Sequence, residues 1–175
     1  MFYDTHMTLA YPPGTEKQNA IETTLAYARE LNLHLVEQDI QKPWGAYFRF
    51  DEQDVTRFIE IFFADQNISR AGMLTPKFLL IAPGEALSWQ YHYRRSEVWR
   101  VACGPIQVIQ STSDDLLDPK TYQTGDLLAH TVLMRHRLMG ADTWGLVAEV
   151  WQHTDPARPS EEADIVRLAD NYHRS

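Results

Sequence analysis

From residue 15 to residue 62 the apolar side chains recur at three- and four-residue intervals, and from Lys77 onward they come in short runs broken by turn residues. The first periodicity is that of helices, the second that of strands. Tyr11-Pro12-Pro13-Gly14 is a chain breaker, and Thr15 and Gln18 behind it have the spacing of a capping box. A helix over roughly residues 16 to 32 is expected, with Ile21, Leu25, Ala28 and Leu31 as its apolar stripe. Asp51 is placed to cap a second helix, on which Val55, Phe58, Ile59 and Phe62 fall at i, i+3, i+4 and i+7. Both stripes read as core.

In the β-rich part, strands are expected at Phe78 to Ala82, Ala86 to Tyr93, Glu97 to Ala102, Ile106 to Gln110 and Leu146 to Trp151. Turn residues separate them at Pro83-Gly84, Gly104-Pro105, Asp118-Pro119, Gly125-Asp126 and Gly140, which is the pattern of an all-β sandwich or barrel. The chain shows no repeat, low-complexity stretch or linker. Residues 1–70 are therefore expected to form a helical extension packed on a barrel of residues 71–175, in one compact domain. Ser88, Gln90, His92 and Arg94 would share one strand face, and Trp89, Tyr91 and Tyr93 the other. A surface strand would bury the aromatics and wet the polar row. A barrel strand with a functional lumen would do the reverse, its aromatics covered by a helix or a second subunit.

Composition narrows this picture only at its edges. A chain of 175 residues, 44% apolar and 23% charged, fits one folded domain. Its net charge of -8 opposes binding to a nucleic-acid backbone, although two or three local basic residues would still hold a small phosphate. No run approaches the roughly 18 apolar residues of a membrane helix, and Met1 to Ala10 lack the pattern of a secretory leader. A soluble, cytoplasmic protein with neither nucleic-acid nor membrane partners is expected. The single cysteine, Cys103, reads as a buried small hydrophobe.

The candidate chemistry lies in the spacing. After Gly84, five residues intervene before Gln90, one before His92, four before Glu97 and six before Gly104. This resembles the first cupin motif, G-x5-H-x-H-x4-E-x6-G, with Gln in place of the first His. Gly125 and His136 are similar to the second motif, in which the ligand histidine follows eleven residues after a glycine. His130 competes for that role, but the glycine spacing and the Arg137-Leu138 that follows favour His136. The resemblance extends to type II phosphomannose isomerases. Gln90 to Trp99 is similar to their Q-x-H-x-x-R-x-E-x-W segment, Lys42-Pro43-Trp44-Gly45 to their K/R-P-W-G, and Pro83-Gly84 to their P-G turn. His136-Arg137-Leu138, Glu149-Val150 and Asp164-Ile165-Val166-Arg167, with Asp170 and Tyr172, follow in the family's order. The chain departs from the pattern at Thr131, Leu133 and Gly140, where the family has Pro, Gly and Asn, and in the helix around residues 51 to 64.

The resemblance implies an all-β cupin, a double-stranded β-helix or jelly-roll barrel with an N-terminal helical cover. It implies one divalent metal on Gln90, His92, Glu97 and His136, a donor set that suits Zn first and also Mn, Fe, Co or Ni. The activity it implies is aldose-ketose isomerisation of a small sugar or sugar phosphate through an enediol. Glu149 is the first choice of base, because a carboxylate in an apolar strand should have a raised pKa, and Lys77 would hold phosphate or assist proton transfer. Arg95, Arg94 and Arg137 are candidates for binding an anionic group, Arg95 foremost because the family pattern includes it. A dioxygenase using Fe(II) and a non-catalytic metal- or sugar-binding cupin are the alternatives. The aromatic row Trp89, Tyr91 and Tyr93 leads to the expectation of a homodimer.

Overall fold

The computed structural model describes residues 9–70 and 72–174; His6, which the sequence reads as a surface or internally satisfied histidine, lies outside them. The first helix, α1, spans Lys17–Glu30. The expected capping box is not formed: Thr15 Oγ1 donates to Pro12 O (2.6 Å) and Gln18 Nε2 to Glu22 Oε1 (2.8 Å). Side-chain hydrogen bonds made within the preceding turn or along the helix compete with capping, and here they win. Asp51 does cap as expected, accepting from Gln53 N at 2.9 Å and starting a single 3-10 turn, Glu52–Asp54, that leads into α2, Val55–Phe62.

Between the helices the chain forms two strands that the pattern did not announce, β1 (Leu35–Asp39) and β2 (Gly45–Phe50). Then follow β3 (Leu74–Ile81), β4 (Trp89–Tyr91), β5 (Arg95–Cys103), β6 (Ile106–Ser111), β7 (Lys120–Tyr122) and β8 (Leu127–His130). The last three are β9 (Arg135–Gly140), β10 (Gly145–His153) and β11 (Val166–Ala169). They form two antiparallel sheets, one ordered β1-β2-β3-β10-β5-β8 and the other β11-β4-β9-β6-β7. The first seventy residues thus contribute sheet as well as helix.

The larger sheet is buried on both faces, which is why β3 is buried at all of its positions. Its outer face, including Phe48, Phe50, Phe78, Leu80, Leu146 and Val150, packs against Ile21, Ala28, Phe58 and Phe62 of the helices. Its inner face meets the smaller sheet, where Leu79, Trp99, Val101 and Val147 join Ile106, Val108 and Leu138 in a second apolar cluster. The helices therefore cover the larger sheet and not the aromatic row of β4. Trp89 is instead buried, its Nε1 donating to Asp114 O (3.0 Å), whereas Tyr93 is 59% exposed. No helix among the described residues is long and apolar enough to cross a membrane.

Two of the departures from the family pattern have local causes. Gly140 runs so close to the preceding turn that a Cβ there would lie 1.9 Å from Ala82 O, which excludes an asparagine. Leu133 keeps the left-handed backbone, φ 66°, that glycine adopts without strain.

Candidate metal centre

Cross-strand register assembles the site. Residues directly opposite one another in antiparallel strands project to the same face. On the smaller sheet, β11, β4, β9 and β6 align Arg167, Gln90, His136 and Gln110 in one row. On the larger sheet, β3, β10 and β5 align Lys77, Glu149 and Trp99, and the adjacent row carries Thr75, Trp151, Glu97 and, on β8, His130. The chain bends at Tyr93 and Arg94 between β4 and β5, which is the irregularity that lets His92 and Glu97 reach one point from two sheets.

His92, Glu97 and His136 are buried, and their ligand atoms lie within 4.8 Å of one another. His92 Nε2 stands 3.3 Å from Glu97 Oε1, and His136 Nε2 stands 3.4 Å from Glu97 Oε2. Metal bonds of about 2.1 Å at tetrahedral angles separate neighbouring ligand atoms by roughly 3.4 Å, so these spacings fit a divalent ion. The outer nitrogens agree with this. His92 Nδ1 donates to Asp164 O (2.6 Å) and His136 Nδ1 to Met134 O (2.9 Å), which leaves both Nε2 lone pairs facing Glu97. His136 Nε2 is buried without a hydrogen-bond partner among the described residues, as suits a nitrogen that would face a metal.

The electrostatics favour the same reading. Burial alone would raise the Glu97 carboxyl, but His92, Arg95 and His136 outweigh it and hold the group well below the usual carboxylate range. Burial pushes His92 down to about 3 against the pull of Glu97, and it pushes His130 well below the usual histidine range. Both imidazoles are thereby kept neutral, the form in which His92 binds a metal.

Gln90 borders this group, but its Oε1 accepts from Ser88 Oγ, and its Nε2 is the atom nearest His92 Nε2, at 3.4 Å. The candidate anion-binding arginines already have protein partners. Arg95 is buried, with Nε on Glu97 Oε1 (2.7 Å), Nη1 on Ser160 Oγ (2.9 Å), Nη2 3.1 Å from His92 Nε2, and its guanidinium 3.6 Å from the centre of the Trp151 ring. Four of its neighbours are thus its own protein, and it braces the carboxylate ligand. Arg137 donates to Leu87 O (2.8 Å) and Asn171 Oδ1 (2.7 Å), and Arg94 reaches Pro159 O and Glu161 at the surface. Neither lines the cavity beside the ligands, because β9 aims Arg137 away from it and the bend carries Arg94 outward.

That cavity, about 70 Å3, is bordered by Gln90, Glu97, Trp99, Glu149, Lys77 and Trp151, and by Lys42, Arg167 and Arg174 toward its mouth. Glu149 is buried, and Trp99 Nε1 donates both to it (2.9 Å) and to Glu97 (3.2 Å). Burial first, and the Glu97 charge second, push the Glu149 carboxyl well above the usual range, against Lys77 and Arg95. Lys77 Nζ pairs with Glu162 and lies over the rings of Trp151 (4.0 Å) and Tyr47 (4.4 Å).

Several contributors were not singled out from sequence. Asp164 ties the C-terminal segment to His92: its carbonyl orients the ring, and its carboxylate accepts from Tyr93 N (3.1 Å), Arg94 N (3.0 Å) and Ser160 Oγ (2.6 Å). The D-I-V-R tail held the only signal for it, as K-P-W-G did for Lys42. Nothing in the sequence marked Arg174 or the partner-forming role of Ser88.

Among solved structures the chain is similar to vicilin from Corylus avellana (hazelnut), with TM-score 0.54 and 13% identity over 79% of this chain and 36% of that one. It is also similar to a recombinant oxalate oxidase in complex with glycolate, with TM-score 0.50 and 15% identity over 74% of this chain and 58% of that one. A Cupin 2 conserved barrel domain protein from Salinispora arenicola CNS-205 matches at TM-score 0.40 and 19% identity, over 48% of this chain and 65% of that one. The chain has the cupin fold. It spans under two thirds of the length of each of these proteins, and at such identities the likeness is one of fold. No protein-family model and no curated protein matches the sequence. Within the cupin barrel, the buried His92, Glu97 and His136 converge between the two sheets.

Proposed function

We propose that this cupin is a divalent-metal aldose-ketose isomerase acting on a small sugar or sugar phosphate. The observation that carries the reading is the shared Trp99 Nε1-H, which joins the ligand carboxylate Glu97 to a second buried carboxyl, Glu149, on the cavity wall. A metal on His92, Glu97 and His136, with Gln90 beside it, would polarise the substrate carbonyl and its neighbouring hydroxyl. Glu149 takes the proton from one carbon and returns it to the next, so the reaction is an internal redox shift with no outside oxidant. Lys77, its cross-strand neighbour, favours the ionised form that a base must reach. Trp99 fixes the carboxyl's direction.

Phosphate on the substrate is supported by charge. Lys42, Lys77, Arg167 and Arg174 border the cavity against Glu149 and Glu162, with Arg95 already bonded to Glu97, in a chain whose net charge is -8. The small free volume suits the reacting end of a sugar, with the remainder at the open mouth. The test is a metal-loaded panel of aldoses and ketoses in deuterated water, with and without a phosphate. Interconversion with deuterium at the carbon next to the carbonyl is expected, and Glu149→Gln should abolish it while keeping the metal. The two-histidine, one-carboxylate set also suits an Fe(II) oxygenase, and oxygen uptake without isomerisation would favour that reading. Saturable sugar binding without turnover would instead make the protein a binding module.

A further inference from the structure

His130 belongs to neither the ligand set nor the cavity wall, yet it is 1% exposed at the centre of the barrel. It stands opposite Glu97 in the β5-β8 register, with its ring stacked on that of His136 (centroids 4.4 Å apart, planes at 28°) and edge-on to Trp99 at 4.3 Å. Its hydrogen bonding fixes where its proton sits. Gln110 Nε2 lies 3.1 Å from Ala129 O and 3.0 Å from His130 Nδ1, so one amide hydrogen goes to each. Turning the amide over would set its oxygen against the Ala129 carbonyl. Nδ1 is therefore an acceptor, and the single proton of the neutral ring is on Nε2. That Nε2 is buried and makes no hydrogen bond to any described residue.

A buried donor without an acceptor costs stability, and a ligand is what can satisfy it. A nitrogen that carries a proton does not coordinate a metal, which separates His130 from His136 although the rings are stacked. We propose that His130 Nε2-H is a donor for an oxygen atom held at the metal centre, either a bound water or a carbonyl, hydroxyl or carboxylate oxygen of the substrate. It rests on the metal-centre reading above, and it adds a hydrogen bond that orients the oxygen and stabilises negative charge developing on it.

The test compares wild type with His130→Phe and His130→Gln, using Co2+ as the metal and acetate as the oxygen donor. All three proteins should bind one Co2+ with similar affinity in chelator competition. Acetate, followed through the visible cobalt spectrum, should bind roughly tenfold more weakly to the Phe variant, with the Gln variant between, since its amide restores an N-H. Loss of Co2+ from both variants would make His130 a ligand and overturn the proposal. Equal acetate affinity in wild type and variants overturns it too, as does a wild-type spectrum that acetate does not shift. If the Phe variant does not fold, the Gln variant decides between an intermediate and an unchanged affinity. Failure of wild type to bind Co2+ would instead remove the metal centre itself, and this donor role with it.

Discussion

On β3 and β10, alternate residues go to different solvents. Phe78, Leu80, Leu146 and Val150 enter the aromatic layer beneath α1 and α2, whereas Lys77, Glu149 and Trp151 enter the barrel lumen. The outer layer is ring on ring: Phe78 meets Phe50 at 4.9 Å between centroids and Phe62 at 5.5 Å. The inner layer packs a carboxylate, a carboxyl, a lysine and three imidazoles within the same sheets. Each buried charge there needs a partner, and among the described residues His130 Nε2 and His136 Nε2 have no hydrogen-bond partner. The contrast teaches a division of labour: one face of the larger sheet supplies stability, and the other spends some of it on a site.

Truncation on the dry side should have the largest effect. Phe78→Ala, which removes a ring in contact with four other aromatic rings, is expected to lose about 3–5 kcal/mol of stability in denaturant unfolding. Metal affinity per folded molecule should stay at the wild-type value, and a large change in it would break the comparison.

His136→Ala should show the mirror image. Metal binding should weaken by more than the roughly 10–100-fold that loss of an outer-shell partner costs. Metal-free stability should fall less than in Phe78→Ala, since the variant loses one hydrogen bond, to Met134 O, and the lost Nε2 has no hydrogen-bond partner among the described residues. Unchanged metal stoichiometry would move the centre elsewhere.

Asp164→Ala tests whether the inner face depends on chain 70 residues away. With its three carboxylate hydrogen bonds gone, the carbonyl that orients His92 is released, and metal affinity should drop about tenfold, while the unfolding midpoint falls by less than in Phe78→Ala as Tyr93 N, Arg94 N and Ser160 Oγ lose their acceptor. Equal affinity in calorimetric titration would make the C-terminal segment a bystander.

The inner face should also give the metal-free protein a two-sided pH profile. His92, held down to about 3 by burial, and His130, also depressed by burial, exclude protons that the unfolded chain takes up. Stability from them is full above the unfolded value of 6.5 and is lost as pH falls below it. Glu149 runs the other way: its raised pKa gives a contribution that is full below 4.5 and is lost as the pH rises through the folded value. Melting temperatures of Glu149→Gln should lose the alkaline fall and keep the acid one. Phe78→Ala should keep both limbs at lower stability.

The smallest expected effect is at the turn before the ligand His136. Leu133→Gly relieves a left-handed residue that is 43% exposed, and a gain of up to about 1 kcal/mol is expected in thermal unfolding. A loss would mean that the leucine side chain is packed in solution.

Much of this was legible in residue order, because the signals are local. Helical spacing over 21–31 and 55–62 marked the two helices, and the runs at 78–82 and 97–102 marked two of the inner strands. The spacing that resembles the cupin motifs singled out Gln90, His92, Glu97 and His136, of which the two histidines and the carboxylate converge while Gln90 Oε1 accepts from Ser88. Glu149 was marked as a perturbed carboxyl by the apolar strand around it. What was not legible depended on register and on the bend at 93 and 94. Sequence could not show that Arg95 bonds Glu97, or that Trp89, expected beneath a helix or a second subunit, donates to Asp114 O.

By itself, then, the chain determined its β-rich class, its helical stripes and the residue types that a metal needs, since periodicity and side-chain chemistry act over a few residues. Only the folded barrel decided that Asp164 would orient a histidine 72 positions away, that Trp99 would join two carboxyls 52 positions apart, and that His130 would stack on His136. Such pairs are fixed by strand register and by burial of both sheet faces, and neither leaves a periodic trace in the sequence.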